Sequence, residues 1–157
     1  MTAARKAISD YRMLKAMNLQ NINARPNEND VLHWYALFYG FESTPWEDGV
    51  FSVDIQLPQD YPNSHPVSIR FTTPIIHPNV DANGNVCHNI LFNEWDPSYN
   101  IYTILISIYL LIIEPNTNEP ANPEIAQLYT NNNAEYNRMV HECVENSWLT
   151  TKQPDAE

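Results

Sequence analysis

The sequence predicts one α/β domain of the α+β kind, with a helix at the amino end, a four-stranded antiparallel meander and three helices on the carboxyl side. Helical patterns lie towards the two ends, and alternating apolar and polar positions lie between them. The connections between the alternating runs hold turn residues rather than crossover helices. At 157 residues, 43% of them apolar, a single domain with a sizeable core is expected over residues 1–150, followed by a short disordered tail at 151–157.

From about Ala4 to Asn18, Ile8, Tyr11, Leu14 and Met17 recur at near-helical spacing, with Arg5, Lys6 and Arg12 mostly turned away from them. The polar run Gln20 to Asp30, with five Asn or Asp and Pro26, ends that helix and reads as loop or a short edge strand, with the first, poorly marked strand near Ile22 to Glu28. Three clearer strands follow. Leu32, Trp34, Ala36 and Phe38 alternate with outward positions, as do Phe51, Val53, Ile55 and Leu57, and then Val67, Ile69 and Phe71. Gly40, Pro45 and Gly49 occupy one connection, and Pro58, Pro62 and Pro66 the next.

Between Thr72 and Asn100 regular structure is expected to lapse, since Pro74, Pro78, Gly84 and Pro97 punctuate it, and long ordered loops are often functional. Ile101 to Ile113 is apolar apart from Thr103 and Ser107, as a helix packed on the sheet and covered by neighbours would be. Pro115 and Pro120 end it. Asn122-Pro123-Glu124 combines a capping side chain, a proline at the first helical position and an acid in the first turn. In the last helix Tyr136, Met139, Val140, Cys143 and Val144 form a stripe ending near Trp148.

The net charge of −11, from 8 Lys+Arg against 19 Asp+Glu, argues against direct nucleic-acid binding, because phosphate contacts need cations. The first twenty residues are the exception, with Arg5, Lys6, Arg12 and Lys15 against Asp10 alone. That end suits an acidic partner; a solvated helix face is the plainer reading. Two cysteines make a disulfide framework unexpected. The start MTAARKAISD lacks the apolar run of a secretory signal, and the greasiest stretch is too short to span a bilayer. A soluble protein of the cytoplasm or nucleus, with no membrane partner, is the expectation.

Chemistry concentrates in HPNVDANGNVC, His77 to Cys87, followed by HNIL and EWDPSYNI. A thiol is the strong nucleophile here, and a thioester on it keeps an acyl group activated for attack by an amine. Cys143, on the apolar stripe of a helix, reads instead as a packed residue. Neither Cys87 with His88 nor His141 with Cys143 has the spacing of a familiar zinc motif, so no metal is expected.

The run resembles the active-site segment of ubiquitin-conjugating enzymes. It holds a His-Pro-Asn triplet, an Asn-Gly turn, a cysteine eight residues after the Asn and a Trp eight residues after the cysteine. WEDGVF at 46–51, DYP at 60–62, ILISIYLL, PNTNEPANPE at 115–124 and VENSW at 144–148 fall where that family has similar segments. The likeness therefore covers roughly residues 3–148 and implies the UBC fold. TPWEDG, YPN, DPSYNI, EPANPE and ENSW look most like the DNA-repair branch, which modifies histones and the replication sliding clamp.

The resemblance implies that Cys87 takes ubiquitin from an activating enzyme and passes it, with a ligase of the RING type, to a substrate lysine. It implies no cofactor, the ATP being consumed by the activating enzyme, and a monomer. Asn79 matches the residue that stabilises the oxyanion or braces the loop. His77 and Pro78 match its bracing residues, and Glu119 its acidic gate, where a carboxylate helps the incoming lysine lose a proton. Arg5, Lys6 and Arg12 on the first helix, with Asn63 and the loop Asp96, Pro97 and Ser98, match the surfaces that receive the activating enzyme and ligases.

Departures are visible too. The family commonly has Leu-Asp after the cysteine, where this chain has His88-Asn89, and Asn63 stands where many ligase-binding members carry an aromatic. Two other readings remain: the same chemistry for another ubiquitin-like modifier, and a non-catalytic scaffold of the same fold.

Overall fold

The computed structural model describes residues 1–150; the expected tail at 151–157 lies outside the described residues. In chain order the elements are helix α1 (Ala3–Met17), strands β1 (Ile22–Asn27), β2 (Asp30–Tyr39), β3 (Val50–Gln56) and β4 (Ser68–Phe71), then helices α2 (Ile101–Ile113), α3 (Pro123–Asn131) and α4 (Asn133–Thr150).

The hydroxyl of Thr2 accepts from the Arg5 amide and opens α1, and Asn18 closes it in the left-handed conformation, donating back to the Leu14 carbonyl. The buried face is Ala7, Asp10 and Leu14. This corrects the expected stripe: Ile8 and Met17 are exposed, and Tyr11 is half-buried with its ring edge-on to Trp34. The helix meets the domain along a narrow ridge at i, i+3 and i+7, where small Ala7 allows close approach and Asp10 finds polar partners.

The four strands form an antiparallel meander in the order β1-β2-β3-β4, with Trp34 opposite Ile55 and Val53 opposite Phe71. The poorly marked first strand is real. It lies at the sheet edge, where Pro26 opposite Trp34 is tolerated. Leu32, Trp34, Ala36, Phe38, Phe51, Val53, Ile55, Ile69 and Phe71 are buried in one core with the helices. Val67 is not among them and is 63% exposed. Val67, the residue before β4, still donates its amide to the Gln56 carbonyl, so it stands at the last rung of the β3–β4 pairing with its side chain outside the core.

Helix α2 starts at a reciprocal cap between Asn100 and Thr103. Ile101, Ile104, Leu105, Ile108, Leu111 and Ile112 are buried, whereas Leu110 is 56% exposed, so neighbours do not cover the helix on every side. Asn122 caps α3 with Pro123 next to it. On α4 Tyr136, Val140, Val144 and Ser147 are buried, with Met139 and Cys143 partly so.

Candidate active site

Residues 72–100 hold a 3-10 turn at Asn89–Leu91 and isolated bridges between Arg70 and Asn85 and between Val80 and Val86. Order comes instead from side-chain bonds and single backbone bonds to the elements around it. Each residue of His77-Pro78-Asn79 is tied to a different part of the fold. The Nε2–H of His77 donates to the Leu111 carbonyl of α2 at 2.9 Å, and its Nδ1 accepts the Asn79 amide at 3.0 Å. The Pro78 carbonyl accepts from the amide of Asn122, the residue that caps α3. The Asn79 side chain uses both ends on the Asn116 backbone, donating to its carbonyl at 2.7 Å and accepting from its amide at 2.9 Å.

That triplet in turn holds the cysteine, because the Asn79 carbonyl accepts the Cys87 amide at 2.9 Å. From the other side the Val86 amide donates to Ile69 of β4. Between them the Asp81 carboxylate accepts from the amides of Asn83 and Asn85, both at 2.9 Å, and from the Asn85 side chain. Those bonds hold its carboxyl below the usual range. Gly84 has φ +91° there, and a Cβ on it would stand 2.4 Å from the Phe71 carbonyl oxygen, so both conformation and space require glycine.

Cys87 is exposed at the end of this clamped hairpin. Partial burial, and then the Asp81 carboxylate, push its thiol above the ordinary range. Less thiolate is present at rest, but a thiol of higher pKa leaves more slowly, which favours persistence of an ester formed on it. Cys143 differs: it is half-buried, its sulfur accepts the Ile76 amide at 3.3 Å, and burial pushes its thiol up. His77 is fully buried with both ring nitrogens engaged away from the thiol, so it has no free nitrogen to take the Cys87 proton.

Glu119, exposed in the loop between α2 and α3, reaches the same place through Asn89, whose Nδ2 donates to Glu119 Oε2 at 2.9 Å. The expected partner surfaces also adjoin one another. Asp10 of α1 bonds Tyr61, and the Trp95 Nε1–H donates to the Pro62 carbonyl at 2.8 Å, which joins the loop of Asn63 to that of Asp96, Pro97 and Ser98. Lys6 is committed to Asp10 at 2.7 Å, whereas Arg5 and Arg12 are exposed. Among the described residues no group of three or more His, Cys, Asp or Glu is placed to hold a metal ion, and no helix is long and apolar enough to cross a membrane.

The family model for ubiquitin-conjugating enzymes matches residues 6–144. The chain belongs to the ubiquitin-conjugating enzyme family. Ubiquitin-conjugating enzyme E2 3 of Arabidopsis thaliana is 40% identical over 147 residues, covering 94% of this chain and 97% of the relative. Ubiquitin-conjugating enzyme E2 1 of Caenorhabditis elegans is 40% identical over 145 residues, covering 92% of this chain and 75% of that protein. Ubiquitin-conjugating enzymes are transferases that work between an activating enzyme and a ligase.

Against that identity, His77, Pro78, Asn79 and Cys87 come together around one hairpin, and Glu119 joins through Asn89. Arg5, Arg12, Asn63 and the 96–98 loop lie on other surfaces. Three contributors were missed in the sequence. Asp81 had a signal, an acid three residues before Gly84 in an Asn-rich turn. Asn89 stood out only as a departure from the family pattern, and Asn116 acts through its backbone, which no residue type announces.

Burial holds the His77 imidazole at a pKa of about 4, below the ordinary 6.5, although the Leu111 carbonyl opposes the shift. An unfolded chain would bind this proton first, so the contribution is complete above about pH 6.5 and lost as pH falls towards about 4, on the order of 3 kcal/mol in all. Urea midpoints of wild type and His77→Gln are expected to converge as pH falls through that window. Parallel pH curves would contradict the assignment.

Proposed function

We propose that Cys87 accepts the carboxyl end of ubiquitin as a thioester and passes it to a substrate lysine. The Cys87 sulfur attacks the thioester carbonyl on the activating enzyme, the old carbon–sulfur bond breaks, and the departing thiolate takes the proton. A lysine amine, having lost its proton, then attacks the new thioester, and Cys87 leaves as the thiol. The observation that carries this reading is the contrast between the thiols: Cys87 is exposed on a clamped hairpin, and Cys143 is half-buried with its sulfur engaged.

Asn79 acts chiefly as the brace of that hairpin, since its amide is anchored to Asn116 through its oxygen and one N–H. The amide nitrogen carries a second N–H that neither of those bonds uses, and donation to the oxyanion would come from it. Glu119 acts as the gate through which the substrate ammonium passes, with a carboxylate to draw it in and favour its deprotonation. The protein needs no cofactor of its own, works as a monomer with a RING-type ligase, and serves DNA repair in the nucleus and cytoplasm. The motifs at 44–49, 61–63, 96–101, 119–124 and 145–148 support that narrower placement.

Incubation with ubiquitin, its activating enzyme and ATP tests the reading. A slower band on a non-reducing gel that collapses with reductant is expected. An adduct with another modifier and its own activating enzyme, and none with ubiquitin, would overturn the choice of modifier; no adduct with any modifier would favour the scaffold.

A further inference from the structure

The pair His88-Asn89 departs from the family pattern immediately after the cysteine, and Asn89 is the residue that touches Glu119. Its amide is held at both ends. Asn93 Nδ2 donates to Asn89 Oδ1 at 3.3 Å, while Asn89 Nδ2 donates to Glu119 Oε2 at 2.9 Å. A flipped amide would set oxygen against carboxylate and NH2 against NH2, so the arrangement admits one orientation. The backbone is pinned as well, because the Asn89 carbonyl accepts the Glu94 amide at 2.8 Å.

We propose that Asn89 is a positioning residue for lysine transfer, holding the Glu119 carboxylate over the segment that follows Cys87. The inference rests on the reading of Glu119 as the gate. Glu119 is exposed on a loop, and an exposed carboxylate on three rotatable bonds has many other places to be. No Lys or Arg occurs from Phe71 through Asn137, so no cation within that span could hold it. A neutral amide suits the task better than a cation would. It fixes one carboxylate oxygen without cancelling the charge, and it does not repel an incoming ammonium. Oε1 has no partner among the described residues, and this is the oxygen left to meet the substrate. An aspartate at 89, which the family commonly has, would instead set two carboxylates at hydrogen-bond distance.

The test follows discharge of pre-charged protein to free lysine in a single turnover, so that charging does not enter the readout. Asn89→Ala is expected to slow discharge roughly five-fold, the scale of one partly solvated hydrogen bond to a charged group. Combining it with Glu119→Gln should slow discharge no further than Glu119→Gln alone, because the two side chains act as one unit. Asn89→Asp should be slower still at low salt and recover in part as added salt screens the repulsion. A purely structural role for Asn89 would move neither the coupling nor the salt dependence.

Multiplying effects in the double variant would overturn the proposal. So would an unchanged rate in Asn89→Ala beside a slowed Glu119→Gln, a result that leaves the gate itself standing. A wild-type protein that never charges would remove the functional reading underneath.

Discussion

Cys87→Ser is expected to form an adduct that survives reductant, and Cys87→Ala to form none. Serine presents an oxygen at the same exposed place on the hairpin, so attack on the activating enzyme's thioester would leave an oxyester. Oxyesters resist thiols and pass acyl groups to amines poorly, so the serine variant should charge slowly and then stall. Alanine removes the nucleophile, and no second one stands ready: the Cys143 sulfur is engaged by the Ile76 amide and half-buried. Cys143→Ser should therefore charge like wild type. Non-reducing and reducing gels of the variants check all three outcomes, and a reductant-labile band in Cys87→Ala would contradict them.

A large expected effect on stability lies elsewhere, at Asp10. Its carboxylate is buried, takes the Lys6 ammonium at 2.7 Å and the Tyr61 hydroxyl, and accepts from the amide of Ile101 at 3.4 Å. Ile101 is the first residue of α2, so the charge also sits at a helix N-terminus, where negative charge is favoured. Burial, and then the Asp10 carboxylate, push the Tyr61 phenol far above its ordinary range, so it stays a donor. Asp10→Ala would leave that hydroxyl and the helix amide unpaired inside the protein. Lys6 keeps 27% of its side chain exposed and can turn to water, which places the loss at the low end for a broken buried pair, about 3 kcal/mol. Asp10→Asn retains hydrogen-bonding capacity and should lose less. Urea unfolding with an unchanged slope and a lowered midpoint would record this, as would a fall in Tm of roughly 6–12 °C. A midpoint equal to wild type would contradict the network.

Much of this molecule is legible from side-chain spacing. The alternation through Trp34, Ala36 and Phe38 and through Phe51, Val53 and Ile55 places the sheet and its buried face, because one register satisfies both strands. Asn122-Pro123 marks a helix start because capping is local chemistry. Legibility fails where a position is decided by distant partners. Ile8 and Met17 look like core on a helical wheel, yet the helix turns Asp10 inward to meet Tyr61 and Ile101. Val67 continues a good alternation to the last rung of the β3–β4 pairing, where its side chain is left outside the core.

The site divides along the same line. Cys87, Asn79 and His77 stand out because their residue types and spacing carry a family likeness, whereas what each does depends on partners far along the chain. Asn79 is held by a backbone 37 residues away, and Asn89 meets a carboxylate 30 residues away. Asn89 was legible as a departure, but its role becomes visible only when the loops on either side of the cysteine are seen together.

The location of the acyl bond tests the central claim most directly. Wild-type protein charged with ubiquitin, digested under mildly acidic non-reducing conditions and sequenced by mass spectrometry, should carry the modifier's carboxyl end on the peptide containing Cys87. Finding it on Cys143, or on a lysine with both thiols free, would contradict the exposed sulfur of the hairpin as acceptor.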